Sequence, residues 1–185
     1  MPDELQTRIE KLEVLAHHDF QTAAPTIGMN EDAFGLFYDR TARRLWAYLQ
    51  RVSGDRDLTD DLLQESYCRM LSAKLPAMDE AESKRYLFRI ATNLLRDRWR
   101  RSQMVNRFTT PAEVRDVDLE SRADTRRAFE QLKPRERQLL WLAYVEGSSH
   151  QDIAGITGLR VGSIRLLLFR ARRKLAAALR LHHAQ

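Results

Sequence analysis

The sequence predicts an all-α protein made of two small helical bundles joined by a linker, and three observations carry that prediction. In 185 residues, leucine (26) and alanine (20) far outnumber valine (7) and isoleucine (6), so strong helix formers dominate the apolar set. Glycine (7) and proline (5) are few. Apolar residues recur at spacings of three and four along most of the chain, the period of a helix with one buried face. The longest apolar run, Leu139 to Val145, falls far short of the ~20 residues a membrane span needs. Asp3 and Glu4 do not fit the basic-then-apolar order of a secretory signal. Cys68 is the single cysteine, so no internal disulfide forms, and no Cys/His cluster has metal-ligand spacing. A cytosolic chain without membrane insertion, metal or cofactor is expected.

Taken in order, residues 1–30 read as an arm that holds one amphipathic stretch, Leu5, Ile9, Leu12 and Leu15. From Glu31, the residues Phe34, Phe37, Tyr38, Thr41, Leu45, Tyr48, Leu49 and Val52 mark a helix, and Gly54 stands where it should stop. A second helix is predicted over about Thr59 to Leu75, burying Leu63, Tyr67, Met70 and Leu71, with Pro76 ending it. A polar loop, Ala77 to Ser83, leads to a third helix, about Lys84 to Arg101, that buries Leu87, Ile90 and Leu94. These three helices form the first bundle, residues 31–101. Residues 102–124 have only scattered apolar positions, Pro111 and more acids than bases, and read as a linker. The second domain, 125–185, opens with Phe129 and Leu132. Pro134 then suits the first turn of a helix that carries Leu139, Leu140, Leu142, Ala143 and Val145 and ends at Gly147. Ser149 is an N-cap for a short helix with Ile153, Ala154 and Ile156, Gly158 supplies a turn, and a last helix runs from about Val161 toward Leu181.

The net charge of +5 conceals an uneven distribution. Residues 1–80 carry −6, residues 81–101 carry +5, residues 102–158 carry −1, and residues 159–185 carry +7 with no acid at all. Two basic windows therefore sit in an otherwise acidic chain. Most of the basic residues are arginine, whose planar fork suits phosphate and guanine edges.

Three constellations stand out. Ser149 to Leu175 has the pattern of a helix-turn-helix, whose second helix enters the major groove. At 100° per residue, Ile164, Leu168, Ala171 and Leu175 fall on an inward seam. The opposite arc presents Gly162, Ser163, Leu166, Phe169, Arg170 and Arg173, with Arg165 and Arg172 at its borders. In the third helix Arg85, Arg89, Asn93, Arg96 and Arg100 lie within an arc of about 80°, flanked by Tyr86 and Trp99. Their rings either stack on unpaired bases or pack in the core. Finally, Asp60, Asp61, Gln64 and Glu65 make one acidic face, which repels nucleic acid and suits either solvent or a basic protein surface.

These residues carry a resemblance. The run Asp61-Leu62-Leu63-Gln64-Glu65 resembles the DLxQE signature of bacterial sigma-70 factors of the extracytoplasmic-function (ECF) group. Tyr86-Leu87-Phe88-Arg89-Ile90-Ala91-Thr92-Asn93, followed by Asp97 and Arg98-Trp99-Arg100-Arg101, is similar to that family's WLxRIAxN…D..RR stretch. Leu132-Lys133-Pro134-Arg135-Glu136-Arg137, Glu146-Gly147, Asp152-Ile153-Ala154 and Phe169 to Leu175 resemble its carboxy-terminal LPxRERxxxxL…EG…EIA…RARxxL pattern. The match covers roughly residues 31–101 and 125–180.

The resemblance implies a non-enzymatic transcription initiation factor that binds core RNA polymerase and directs it to promoters. The first bundle corresponds to region 2, so Asp61, Gln64 and Glu65 are implied to dock on the β′ clamp helices. Arg85, Tyr86, Arg89, Asn93, Arg96 and Arg100, with the loop from Pro76 to Ser83, are implied to read and melt the minus-10 element. The second corresponds to region 4, packing on the β flap and reading the minus-35 element through Arg160, Ser163, Arg165, Leu166, Phe169, Arg170 and Arg173. An anti-sigma factor is the implied regulatory partner. The chain departs from the family at Leu166-Leu167-Leu168, where arginine, serine or lysine is usual, and at Tyr86, where tryptophan is usual. Gly155 replaces a better helix former at a cost of about 1 kcal/mol. Two other readings stay open: a sigma mimic that binds an anti-sigma regulator without starting transcription, and a conventional duplex-binding repressor or activator.

Overall fold

A computed structural model describes residues 30–73, 76, 78–105 and 120–182, and among them there are seven α-helices and no strand. The amphipathic stretch at Leu5 to Leu15 lies outside the described residues. Helix α1, Glu31–Ser53, begins where the Asn30 side chain accepts the Ala33 N–H at 2.8 Å, with Glu31 and Asp32 opposing the positive end of the helix dipole. It ends at Gly54, whose φ of 77° is left-handed. The predicted face is the buried one: Phe37, Thr41, Leu45, Tyr48, Leu49 and Val52.

Helix α2, Arg56–Ser72, starts three residues before the expected position because Asp55 caps it, accepting the Leu58 N–H at 3.0 Å. It also stops short of Leu75. Its buried face is Thr59, Leu62, Ser66, Tyr67 and Met70, whereas Leu63 and Leu71 are only half-buried. The polar members are tolerated there because Thr59 and Ser66 return their hydroxyls to the carbonyls of Asp55 and Leu62 at 2.7 and 2.6 Å. Helix α3, Glu80–Val105, absorbs most of the segment expected as a polar loop. Asp79 and Glu82 cap it reciprocally, each side chain accepting the other's backbone N–H at 2.7 and 3.1 Å.

Helix α4, Glu120–Glu130, and the end of α3 both extend into the stretch read as a linker, of which 106–119 lies outside the described residues. Helix α5, Pro134–Tyr144, has its proline in the first turn, as expected, and Glu136 accepts the Lys133 N–H at 3.0 Å. Helix α6, His150–Thr157, is held by a Ser149/Asp152 capping box and closed by Gly158 at φ 71°. Helix α7, Val161–His182, completes the fold.

Helices α1, α2 and α3 pack on one another, and α7 packs on α4, α5 and α6. The two bundles also touch: α6 lies on α3, and α5 on α1. The buried apolar residues form one continuous cluster, from Phe37 in α1 to Ala171 in α7. The sequence separates two bundles but does not predict that they share a core. No helix among the described residues is long and apolar enough to cross a membrane.

Gly35 and Gly155 lie inside helices, and a Cβ at either would meet nothing within 4 Å. Replacing each by alanine should therefore raise stability by about 0.5–1 kcal/mol in urea denaturation. Gly54→Ala, at a left-handed φ, should lower it by about 1 kcal/mol. A loss at Gly155 would show that the short helix needs the bare backbone.

Candidate nucleic-acid and protein interfaces

Helix α7 presents two faces. Ile164, Leu168 and Ala171 are buried as the helical wheel requires, and the small side chain of Ala154 is buried in α6. The outward arc holds Arg160, Arg165, Leu166, Phe169, Arg170 and Arg173, all exposed, and Ser163, partly exposed. Two other cations of this helix are used differently. Lys174 pairs with Glu136, and Arg172 donates to the Tyr144 hydroxyl at 3.0 Å, so both tie α7 to α5. Burial pushes the Glu136 carboxyl pKa up, but Lys174 and the Lys133 N–H outweigh it and hold it below the usual carboxylate range.

On α3 the predicted arc is present, with Arg85, Arg89, Arg96 and Arg100 exposed and Asn93 half-buried. Its members are not equally available. Arg85 pairs with Asp152 of α6 at 2.9 Å, across the boundary between the bundles. Arg96 donates to Asn93 at 2.7 Å and its guanidinium runs close by Gly158, while Arg100 pairs with Asp97. The Ser149 hydroxyl and then Arg85 hold the Asp152 carboxyl below its ordinary pKa. Arg85, Tyr86 and Arg89 line an open cleft with Met78, Gly155 and Ile156. Tyr86 and Trp99 are half-buried against the core, so packing accounts for much of each ring.

The acidic face of α2 is smaller than expected. Asp60 turns toward α1, where its carboxylate accepts the Trp46 indole N–H at 2.8 Å, and it is removed from the candidate surface. Asp61 and Glu65 are exposed and Gln64 half-buried, along a cleft floored by Leu58, Leu62 and Leu94 and edged by Arg98 and Arg101. Glu65 pairs with Arg69 at 2.6 Å.

Sequence reasoning missed the junction of the bundles. The Tyr48 hydroxyl, fully buried in α1, shares a 2.7 Å hydrogen bond with Thr92 of α3 and accepts one of 2.7 Å from the Gln138 amide of α5. Beside it, the Glu146 side chain is 2% exposed and faces Arg44 and Lys84 at 3.1 and 2.8 Å. These contacts are ionic rather than directional, since neither carboxylate oxygen finds a hydrogen-bond donor in good geometry. The Glu146-Gly147 pair was visible as a motif, and its partners were not. Gly147, at φ 65°, turns the chain there.

Comparison with known proteins matches two family descriptions to this chain, Sigma-70 region 2 over residues 37–104 and Sigma-70, region 4 over residues 122–175. RNA polymerase sigma factor CarQ of Myxococcus xanthus is 29% identical over 153 residues, which are 78% of this chain and 88% of that protein. ECF RNA polymerase sigma factor EcfG of Rhodopseudomonas palustris is 30% identical over 145 residues, 73% of this chain and 78% of that one. Among solved structures, the sigma factor RpoE in complex with the anti-sigma factor NepR from Bartonella quintana aligns with a TM-score of 0.61 at 24% identity, covering 80% of this chain and 96% of that chain. CnrH, in complex with the cytosolic domain of CnrY, aligns equally well at 24% identity over 82% and 90%. Both likenesses concern the fold.

Burial raises the Tyr48 hydroxyl pKa from 10 to about 12, against the opposing bonds from Thr92 and Gln138, and burial raises Tyr67 as well. A tyrosine that stays neutral in the folded state while its unfolded form titrates near 10 contributes stability that is full below about pH 10 and is lost as the pH rises toward 12. The melting temperature should fall across that window. Tyr48→Phe should blunt the fall while lowering stability at pH 7 by about 1–3 kcal/mol, because Gln138 and Thr92 lose their partner. An unchanged alkaline limb in the variant would contradict this role.

Proposed function

This chain belongs to the sigma-70 family, and on that premise we propose that it binds core RNA polymerase and directs it to promoters with a minus-10 and a minus-35 element. The observation that carries the reading is the presence of both family regions, in order, each with its own cationic helix face. CarQ is an RNA polymerase sigma factor and EcfG an ECF sigma factor, and this chain is read as a member of the ECF group. Core polymerase performs the nucleotide chemistry, and the chain supplies recognition and strand opening in the cytoplasm.

Residues 31–101 act as region 2, residues 125–185 as region 4, and 102–124 connects them. Asp61, Gln64 and Glu65 meet the β′ clamp helices, a role supported by their place along one cleft, with Asp61 and Glu65 exposed. Arg85, Tyr86, Arg89, Asn93, Arg96 and Arg100 serve the minus-10 element, and Arg160, Ser163, Arg165, Leu166, Phe169, Arg170 and Arg173 serve the minus-35 element, with the second bundle packing on the β flap. An anti-sigma factor is the regulatory partner, by analogy with RpoE and its NepR complex. In the isolated chain Asp152 occupies Arg85, but both groups are partly exposed. Such a pair is worth at most about 1 kcal/mol, so a DNA phosphate can replace the carboxylate.

Two observations support this reading over its rivals. Arg89 and Asn93 keep solvent access on α3, which a decoy that never meets DNA does not need. A conventional duplex regulator leaves the region 2 match unexplained.

Run-off transcription with purified core polymerase, on a promoter selected from random sequence, tests the proposal. The chain should be required for specific transcripts, and Arg89→Ala with Asn93→Ala should abolish opening while core binding survives. Asp61→Lys with Glu65→Lys should instead weaken core binding. Promoter affinity should fall steeply with salt, by about −0.9 in log–log slope per duplex phosphate neutralised. No stimulation on any template would contradict the assignment.

A further inference from the structure

Leu166 is the feature of α7 that the shared pattern does not explain. It is 51% exposed, and Phe169, one helical turn along the same face, is 48% exposed. The two form a small apolar strip inside a cationic arc. Arg165 adjoins Leu166 in the chain and Arg170 lies one turn beyond it. Neither has an acidic partner among the described residues, and residues 159–185 contain no acid. Phe169 is braced by Arg173, whose guanidinium carbon lies 5.9 Å from the ring centroid. Gly162, one turn before Leu166, has open space where a Cβ would stand, which lets this part of the helix approach a surface closely.

Leu166 adds little to the core of the isolated chain, since Ile164 and Leu168 already fill the inward seam. Its surroundings decide what it meets. Two side chains cover far less than the ~800 Å² per partner of a stable protein interface, whereas free guanidinium groups on either side match the phosphates that border a major groove. Within that groove, a hydrocarbon side chain can neither donate nor accept a hydrogen bond. Among the standard bases only thymine offers it an apolar partner, the C5 methyl group.

We propose that Leu166, backed by Phe169, reads a thymine C5 methyl in the minus-35 element. Minus-35 specificity in this chain then rests on shape and apolar contact at that base pair, and on arginine at its neighbours. The inference rests on the promoter-directing function proposed above.

The test uses holoenzyme reconstituted from core polymerase and the full chain, on a selected promoter in which each thymine of the minus-35 element is replaced in turn by deoxyuridine. That change removes one methyl group and keeps every hydrogen-bonding atom. At one position, or two adjacent ones, promoter binding should fall about fourfold, the effect of one buried methyl group. Leu166→Ala should bind the thymine and deoxyuridine templates equally at that position, and its exposure means that the variant folds. Equal binding by the unaltered chain at every thymine would overturn the inference, as a protein-facing strip would give. A thymine preference undiminished in Leu166→Ala would also overturn it. Specific transcripts with no methyl effect would leave the sigma assignment standing, whereas no transcript from any template would contradict both.

Discussion

The hydroxyl of Tyr48 is the point at which two bundles become one structure. It is fully buried, and its partners come from α3 of its own bundle and α5 of the other, so three helices are held in register by one oxygen. The Glu146 carboxylate, enclosed between Arg44 and Lys84, repeats the arrangement with charge. Neither feature is chiefly a source of stability, because a buried polar group must first recover the hydration it gave up. Their effect is specific: a shift of α5 along α1 by one turn leaves the Gln138 amide and the Glu146 carboxylate buried without partners. Apolar contacts hold the bundles together, and these polar groups fix where.

That packing decides which cations remain for ligands. By composition the chain has two basic windows of similar weight. In the structure they differ in kind. On α7, Lys174 and Arg172 are consumed by α5, and the outward arginines are open. On α3, Arg85 faces Asp152 and Arg100 faces Asp97, which leaves Arg89 as the least encumbered cation of the arc. The carboxylates concerned lie at the rim of the bundle, where solvent screening keeps such pairs weak. An anion that approaches this face therefore meets a surface partly neutralised in advance, and has to take the place of a carboxylate.

Local chemistry explains what the sequence made visible. Gly54, Pro134, Ser149 and Gly158 each impose one backbone geometry, so the ends they mark lie within a residue of where they were expected. The caps at Asp55 and Asp79 were missed because an aspartate in a polar stretch looks the same whether it caps a helix or faces water, and α2 and α3 start earlier as a result. The helical wheel placed Ile164, Leu168 and Ala171 inward and Leu166 outward, because it needs only the 100° step. It sets Asp60 and Asp61 100° apart but could not show that Trp46 stands within reach of Asp60, which makes that residue structural and leaves Asp61 exposed. The contact between the bundles was invisible for a related reason. Periodicity reports which face of a helix is buried, and not against which neighbour.

The most direct test of the shared core is whether the bundles unfold together. Trp46 and Trp99 lie in the first bundle and Trp141 in the second, so variants that keep only Trp46 or only Trp141, the other tryptophans being replaced by phenylalanine, report on each separately. Urea titrations of the two variants, followed by tryptophan fluorescence and by far-ultraviolet circular dichroism, should each give one transition, with the fluorescence and dichroism curves superimposing in both. A Trp141 signal that changes at a different urea concentration from the helical signal of the same variant would show that the bundles fold independently, and would contradict a structure keyed through Tyr48.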